Sequence, residues 1–146
     1  MKAVLVAIAL AVSASGIAVA YEPKAAECVL SAPETTPAYA VLVLRKAKVE
    51  SELEDLSEKL TNEHPSLDAK RFELRALSVE MDKMRALEES HASKLSTAFG
   101  NLVLSKVALE VELNDLRYRL TPQHPDVTKK RAELAALERE IDKLLI

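Results

Sequence analysis

Two related stretches determine how this chain folds: LTNEHPSL at residues 60–67 and LTPQHPDV at residues 120–127. Each contains a His-Pro pair, and proline inside a helix lacks an N–H donor and clashes with the preceding turn. At the first position of a helix neither defect matters, and the residue before proline is pushed out of the helical region. The spacing therefore predicts that one helix ends near residue 60 or 120 and that the next begins at Pro65 or Pro125.

The same two stretches lie within an internal repeat whose copies are 60 residues apart. Residues 42–86 and 102–146 are identical at 22 of 45 aligned positions, including the His-Pro pair and the Leu-Val-Leu triplets at 42–44 and 102–104. Two unrelated helical stretches would not keep a His-Pro pair in register. We therefore interpret the chain as a duplicated supersecondary unit.

Apolar residues on both sides of each His-Pro pair are spaced three, four and seven apart, which is typical of the a and d positions of heptad helices. The first unit carries Leu42, Val49, Leu53, Leu56 and Leu60, then Leu67, Leu74, Leu77, Met81 and Met84. The second carries Leu102, Leu109, Leu113, Leu116 and Leu120, then Val127, Leu134, Leu137, Ile141 and Leu144. These apolar seams are interrupted by lysines at positions 46, 70, 106 and 130.

Each unit is predicted to be an antiparallel helical hairpin, because a link of about four residues suits antiparallel neighbours. Hairpin repeat 1 is predicted over residues 41–99 with its turn at 61–65, and hairpin repeat 2 over residues 101–146 with its turn at 121–125. With 3% aromatic residues, no Trp and two Gly, the composition disfavours strands and lacks glycine-rich phosphate loops. The predicted fold class is all-α.

The junction between the repeats allows two arrangements. The second helix of repeat 1 is predicted to continue past Ala86 toward Ser96, and Gly100-Asn101 to end it, because glycine suits the left-handed residue that follows a helix. With a stop at Gly100, four coiled-coil-like helices pack up-down-up-down. Because one interior glycine costs a helix only about 1 kcal/mol, the helices could instead fuse into an extended rod whose seams need a partner.

The first 20 residues have the three parts of a cleavable signal peptide: Lys2, an uncharged apolar stretch, and the small residues Ala18-Val19-Ala20. An uncleaved membrane anchor is the alternative, but Ser13 and Gly16 weaken an apolar stretch that is barely long enough to span a bilayer. We predict a periplasmic or secreted protein with no membrane span after cleavage.

Residues 21–40 are predicted to be a flexible linker, since Pro23, Pro33 and Pro37 interrupt any helical period. Cys28, the only cysteine, lies in this segment and excludes an internal disulfide. In an oxidising compartment its thiol either stays free or forms an intermolecular disulfide.

Structural roles are predicted for six residues of the two turns: Thr61, His64, Pro65, Thr121, His124 and Pro125. The alternative for the two histidines is zinc binding, but zinc needs three or four ligands at fixed distances, and no His-x3-His or Cys-x2-Cys pair is present. We predict no metal, cofactor or catalytic residue, because acidic and basic side chains alternate on solvated faces. A formal charge of −3 and the scarcity of aromatic residues argue against nucleic-acid binding.

The turn of repeat 2 resembles a known motif. LTPQHPDV is similar to the Y-T-P-x-H-P-D-V turn in the periplasmic coiled-coil hairpin of the polysaccharide chain-length determinant and exopolysaccharide transport family (Wzz- and GumC-type proteins), with Leu120 replacing the tyrosine. The turn of repeat 1 is a more degenerate copy. The resemblance implies hairpin geometry and a periplasmic setting. The sequence shows neither the two membrane-spanning helices nor the membrane-proximal domain of that family, so regulation of polysaccharide length is not implied.

A second resemblance concerns the Leu-Thr-x-x-His motif of both turns, which is similar to the L-T-x-x-Q signature of small periplasmic helical chaperones of the Spy and CpxP type. We predict a non-enzymatic, exported structural or interaction (adaptor) protein, associated with envelope polysaccharide export machinery. Its helical seams would bind a protein partner or a second copy in a homo-oligomer. The alternative is a Spy/CpxP-like stress chaperone or sensor.

Overall fold

The computed structural model of the chain describes residues 32–146, and the all-α prediction is confirmed because these residues contain helices and no strand. The elements are a short 3₁₀ helix Pro33–Thr35, α1 Pro37–Lys59, α2 Pro65–Arg85, a second 3₁₀ helix Glu89–Lys94, α3 Thr97–Arg119 and α4 Pro125–Leu145. The predicted signal peptide, Cys28 and the linker up to residue 31 lie outside the described residues. None of the helices within residues 32–146 is both long and apolar enough to cross a membrane.

The helix starts predicted from the His-Pro pairs are confirmed. Pro65 and Pro125 occupy the first helical positions of α2 and α4, and α1 and α3 end one residue before Leu60 and Leu120. The bounds of α3 and α4 follow those of α1 and α2 by 60 residues at every end. The sequence duplication is therefore also a duplication of helix boundaries. We call α1 and α2 hairpin 1, and α3 and α4 hairpin 2.

The predicted linker is wrong over its last residues. A 3₁₀ helix begins at Pro33 and α1 begins at Pro37, with Ala38 and Tyr39 buried in the core. Pro37 takes the first helical position, where proline needs no N–H partner. The hydroxyl of Thr36 caps the helix by accepting the Tyr39 N–H at 3.4 Å.

The predicted junction between the repeats is also wrong. α2 ends at Arg85 instead of continuing toward Ser96, and the break falls in the residues between α2 and α3. Gly100 is no stop, because it lies in the first turn of α3, where its φ is not positive. Ser96 starts that helix, and its hydroxyl accepts the Phe99 N–H at 3.3 Å.

The helices pack as two antiparallel pairs, and α3 connects one pair to the other. α1 packs on α2 and α3 on α4, and α3 also packs on both helices of hairpin 1, whereas α4 packs chiefly on α3. The arrangement is thus neither an extended rod nor a closed four-helix bundle. The main core consists of Ala38, Tyr39, Leu42, Val49, Leu77, Met81, Met84, Leu95, Phe99, Val103, Val107 and Ile141. Leu144, which the seam pattern places inside, is half exposed because nothing packs on that side of α4.

Candidate functional site

Each hairpin is held by the same cross-helix ion pair. Lys70 Nζ lies 2.5 Å from Glu52, and at the positions 60 residues later Lys130 Nζ lies 2.8 Å from Glu112. The hydrogen bond from Lys70 lowers the pKa of Glu52, and the bond to Glu112 raises the pKa of Lys130. Both lysines interrupt the predicted seams, and both are occupied in joining the helices of their own hairpin.

A buried lysine joins the two hairpins. Lys106 of α3 is only 6% exposed, and its ammonium donates to Glu80 Oε1 of α2 at 2.8 Å. Glu80 also accepts from Lys83 at 2.7 Å. Burial alone would lower the pKa of Lys106, but the bond and charge of Glu80 outweigh burial and raise it. Burial alone would raise the pKa of Glu80, but the two lysines lower it.

Close backbone contact brings α3 against α1. A Cβ atom added at Gly100 would lie 2.9 Å from both Cα and O of Ala38, and 3.2 Å from Cβ of Val41. Only a residue without a side chain allows this approach. Gly100 thus marks the place where hairpin 2 docks on hairpin 1.

A groove of about 250 Å³ lies between α2, α3 and α4. Its apolar wall includes Met84, Phe99 and Ile141, and its charged wall includes Lys106 with Glu80. Because Lys106 is fully engaged with carboxylates, it is not available as a base or nucleophile. The groove therefore combines apolar surface with charged side chains.

The predicted turn residues take part in the local structure of the two hairpin tips. The Nδ1 atoms of His64 and His124 cap α2 and α4 by accepting the Ser66 and Asp126 N–H groups, each at 3.2 Å. The carbonyl groups of Thr61 and Thr121 accept the N–H groups of His64 and His124 at 2.9 and 3.0 Å. The described part of the chain holds no group of three His, Cys, Asp or Glu residues that could bind a metal ion. The side chains of the two histidines thus cap the helices that follow them.

Beside the tips, α2 and α3 enclose a second open groove, of about 400 Å³. Pro65 and Asp68 line one side, and Asn114 and Tyr118 line the other. Tyr118 is 82% exposed. This groove marks the far end of the contact between α3 and hairpin 1.

The outward face of α1 carries an exposed apolar stripe. We name it the α1 stripe, and it consists of Ala40, Val43, Leu44 and Ala47. Its spacing of three and four residues places these side chains on one face of the helix. Val43 is 42% exposed and Leu44 is 72% exposed. A contiguous apolar patch on an exposed helix is typical of a protein-binding surface.

The corresponding residues of hairpin 2 are covered. Positions 60 residues later form the α3 stripe, which consists of Gly100, Val103, Leu104 and Val107. Gly100, Val103 and Val107 are buried and Leu104 is partly buried, where α3 meets its neighbours. The two stripes have nearly the same chemistry and opposite exposure, which makes the α1 stripe the candidate functional site.

Comparison with protein-family models, with curated proteins and with solved structures finds no match. The resemblance of the turns to polysaccharide export proteins and to periplasmic chaperones therefore stays a prediction.

Sequence reasoning missed the α1 stripe. The heptad pattern selects Leu42 and Val49 for the interior of α1, and both are buried. Val43 and Leu44 lie beside that seam in a Leu-Val-Leu triplet that recurs unchanged in α3, so local pattern does not distinguish the exposed copy from the covered one. The one signal in the sequence was the difference at the corresponding positions 100 and 40: glycine stands where α3 contacts α1, and alanine stands in the exposed copy.

Proposed function

We propose that this chain is an exported, non-enzymatic helical protein of the bacterial periplasm that binds other proteins through the α1 stripe. The single observation that carries the proposal is the exposure of Val43 and Leu44, whose counterparts Val103 and Leu104 pack against neighbouring helices. The export part of the proposal rests on the signal-like composition of residues 1–20.

A partner helix lying along α1 would bury the apolar half of its outward face. The same face continues toward the hairpin tip with exposed Ser51, Glu54, Asp55 and Glu58. The face is therefore apolar at one end and acidic at the other, and it favours a partner with apolar residues followed by basic ones. The resemblance of the turns makes the coiled coil of an envelope polysaccharide exporter the first candidate partner.

The charge arrangement supports a binding role over an enzymatic one. The most buried charged side chains, Lys106, Glu80 and Glu73, are all engaged in ion pairs. Within residues 32–146, every buried polar side-chain atom has a hydrogen-bond partner. Catalysis needs a reactive group with unused hydrogen-bonding or charge capacity in a cleft, and these pairs leave none.

Site-specific cross-linking tests the proposal. A photoreactive residue at position 44 is expected to give a discrete cross-linked product in the cells that make this protein. The matched control is the same residue at position 57, because Ser57 is exposed on another face of α1. Equal products at both positions, or no product at position 44, would refute the α1 stripe as a binding surface.

Aggregation assays distinguish the proposed adaptor function from the alternative chaperone function. A Spy/CpxP-like chaperone suppresses aggregation of several unrelated unfolded proteins at near-stoichiometric amounts, whereas an adaptor does not. Leu44→Lys provides the control, because it removes apolar surface at an exposed position and should change the free energy of unfolding by no more than about 0.5 kcal/mol. Suppression that disappears in this variant would assign the α1 stripe to the chaperone function.

A further inference from the structure

The contact between the two hairpins joins two different faces. Hairpin 2 contributes the α3 stripe together with Lys106, and hairpin 1 contributes a receiving face that includes Ala38, Glu80 and Met84. An interface between unlike faces of related units is heterologous. In a heterologous pair, each unit uses only one of its two contact faces. The other face of each hairpin stays free and could bind a further unit.

Both unused faces are exposed, and they retain the chemistry of the contact. On hairpin 1 the unused face is the α1 stripe with Lys46. On hairpin 2 it is the counterpart of the receiving face, where Ala98, Glu140 and Leu144 are exposed and replace the buried Ala38, Glu80 and Met84. The first two positions hold alanine and glutamate in both hairpins, and at the third position hairpin 2 has leucine where hairpin 1 has methionine.

Each residue of the buried ion pair between the hairpins has a counterpart of the same type on one of the unused faces. Lys106 pairs with Glu80 inside the chain, and the corresponding residues are Lys46 and Glu140. Within residues 32–146, Lys46 pairs with Glu50 of its own helix, at 3.7 Å. Glu140 pairs with Lys143 at 2.8 Å, as Glu80 does with Lys83. A second unit docked in the same way would bring Lys46 to Glu140.

Charge near the hairpin tips is complementary as well. Inside the chain, Ala69 lines the groove together with Asn114, Asp115 and Tyr118 of α3. The counterpart of Ala69 on α4 is the exposed Lys129. Its opposing residues in a docked copy would be those at positions 54, 55 and 58 of α1, which are all acidic and exposed. The uncharged Ala69 inside the chain is thus replaced by a cation that faces carboxylates in the contact between chains.

We infer that the α1 stripe binds a second copy of this chain, whose α3–α4 face takes the place that hairpin 1 takes against hairpin 2. This inference rests on the proposed function, because both use the α1 stripe. The contact is heterologous, so it leaves the same two faces free at the ends of each assembly and permits linear growth. Ala40 holds the two helices farther apart in this contact than Gly100 does inside the chain, and so weakens the contact, because its methyl group stands where Gly100 allows close backbone approach.

Charge exchange tests the inference in the full chain under reducing conditions, where Cys28 cannot link molecules. The wild type is expected to show a mass that rises with concentration up to about 1 mM in sedimentation equilibrium. Lys46→Glu and Glu140→Lys, each measured alone, should weaken self-association about tenfold or more, because like charges then face each other. An equimolar mixture of the two variants should recover the wild-type mass, because each mutant face then meets an opposite charge.

Two further variants make the test specific. Arg117→Glu makes the same change of charge at an exposed position whose counterpart, Ser57, is exposed as well, and it should leave self-association unchanged. Ala40→Gly should tighten it about fivefold, because it removes the methyl group from the contact point. A monomeric wild type across the whole concentration range, or no recovery on mixing, would overturn the inference.

The proposed function and this inference fail separately. A cross-linked product at position 44 with twice the mass of the chain supports the second copy as partner. A product that contains only a different protein overturns the inference and leaves the proposed function intact. The absence of any product at position 44 refutes both.

Discussion

Replacing Gly100 with alanine tests the close approach of α3 to α1. Two opposing effects act on the free energy of unfolding. Alanine in a helix is more favourable than glycine by about 0.8–1.0 kcal/mol, so helix propensity alone predicts that Gly100→Ala stabilises the protein. The added Cβ atom would lie 2.9 Å from Cα and O of Ala38, which predicts the opposite.

Steric strain should prevail, because the nearest atoms cannot move away independently. Two of the three nearest atoms belong to the backbone of Ala38, and the third is Cβ of Val41. None is the end of a flexible side chain, so relief requires the two helices to separate. Inserting a methyl group into such a site costs about 1–3 kcal/mol, and subtracting the gain in propensity leaves a net loss of about 1 kcal/mol.

Urea unfolding and thermal unfolding, both followed by circular dichroism, measure the result. A loss of about 1 kcal/mol lowers the melting temperature by about 4 °C in a domain of this size. Ala40→Gly is the matched control, because Ala40 holds the equivalent place in α1 and is exposed. It should lose about 1 kcal/mol from helix propensity alone. If Gly100→Ala raised the melting temperature, the close contact between α1 and α3 would be refuted.

The charged core and the helix caps give three further predictions. Lys106→Met should lower the free energy of unfolding by about 2–3 kcal/mol in urea, because Glu80 stays buried with one fewer partner, whereas Lys46→Met should change it by no more than about 0.5 kcal/mol. The stabilisation that Glu80 provides, measured against Glu80→Gln, should be complete above its ordinary pKa of 4.5 and should decrease as pH falls below it, because the folded state lowers this pKa; a constant difference across that range would contradict the ion pair. His64→Ala and His124→Ala should each cost about 1 kcal/mol in melting experiments, and asparagine at either position should restore most of it, since asparagine is a good N-cap; equal losses for alanine and asparagine would exclude capping.

The parts of the fold that sequence predicts are those that depend on local rules. Proline at a first helical position fixes the starts of α2 and α4, and the repeat carries that result from one hairpin to the other. The same rule applied to Pro37 gives the start of α1, where the predicted linker is wrong. Three prolines within a short segment indicate an extended chain, yet Thr36-Pro37 is also a capped helix start.

The exposure of the α1 stripe depends on tertiary contacts that no local rule contains. Positions 42–44 and 102–104 have the same three residues and the same helical conformation. The α3 stripe is covered because hairpin 1 packs against it, whereas no third hairpin within residues 32–146 packs against the α1 stripe. A duplicated sequence predicts two equal units, but two units joined through unlike faces cannot be equal in burial.

The differences between the copies indicate which part of α1 the proposed binding would use. Toward the tip, the partly buried Val111 of α3 corresponds to the exposed Ser51 of α1, as expected for a face exposed to water. Solvent exposure alone would favour polar residues along the whole face, yet Val43 and Leu44 remain apolar at their exposed positions. Exposed apolar side chains that lie side by side form a target for association. The proposed binding of a partner at that half of α1 gives a physical reason why these two residues are apolar.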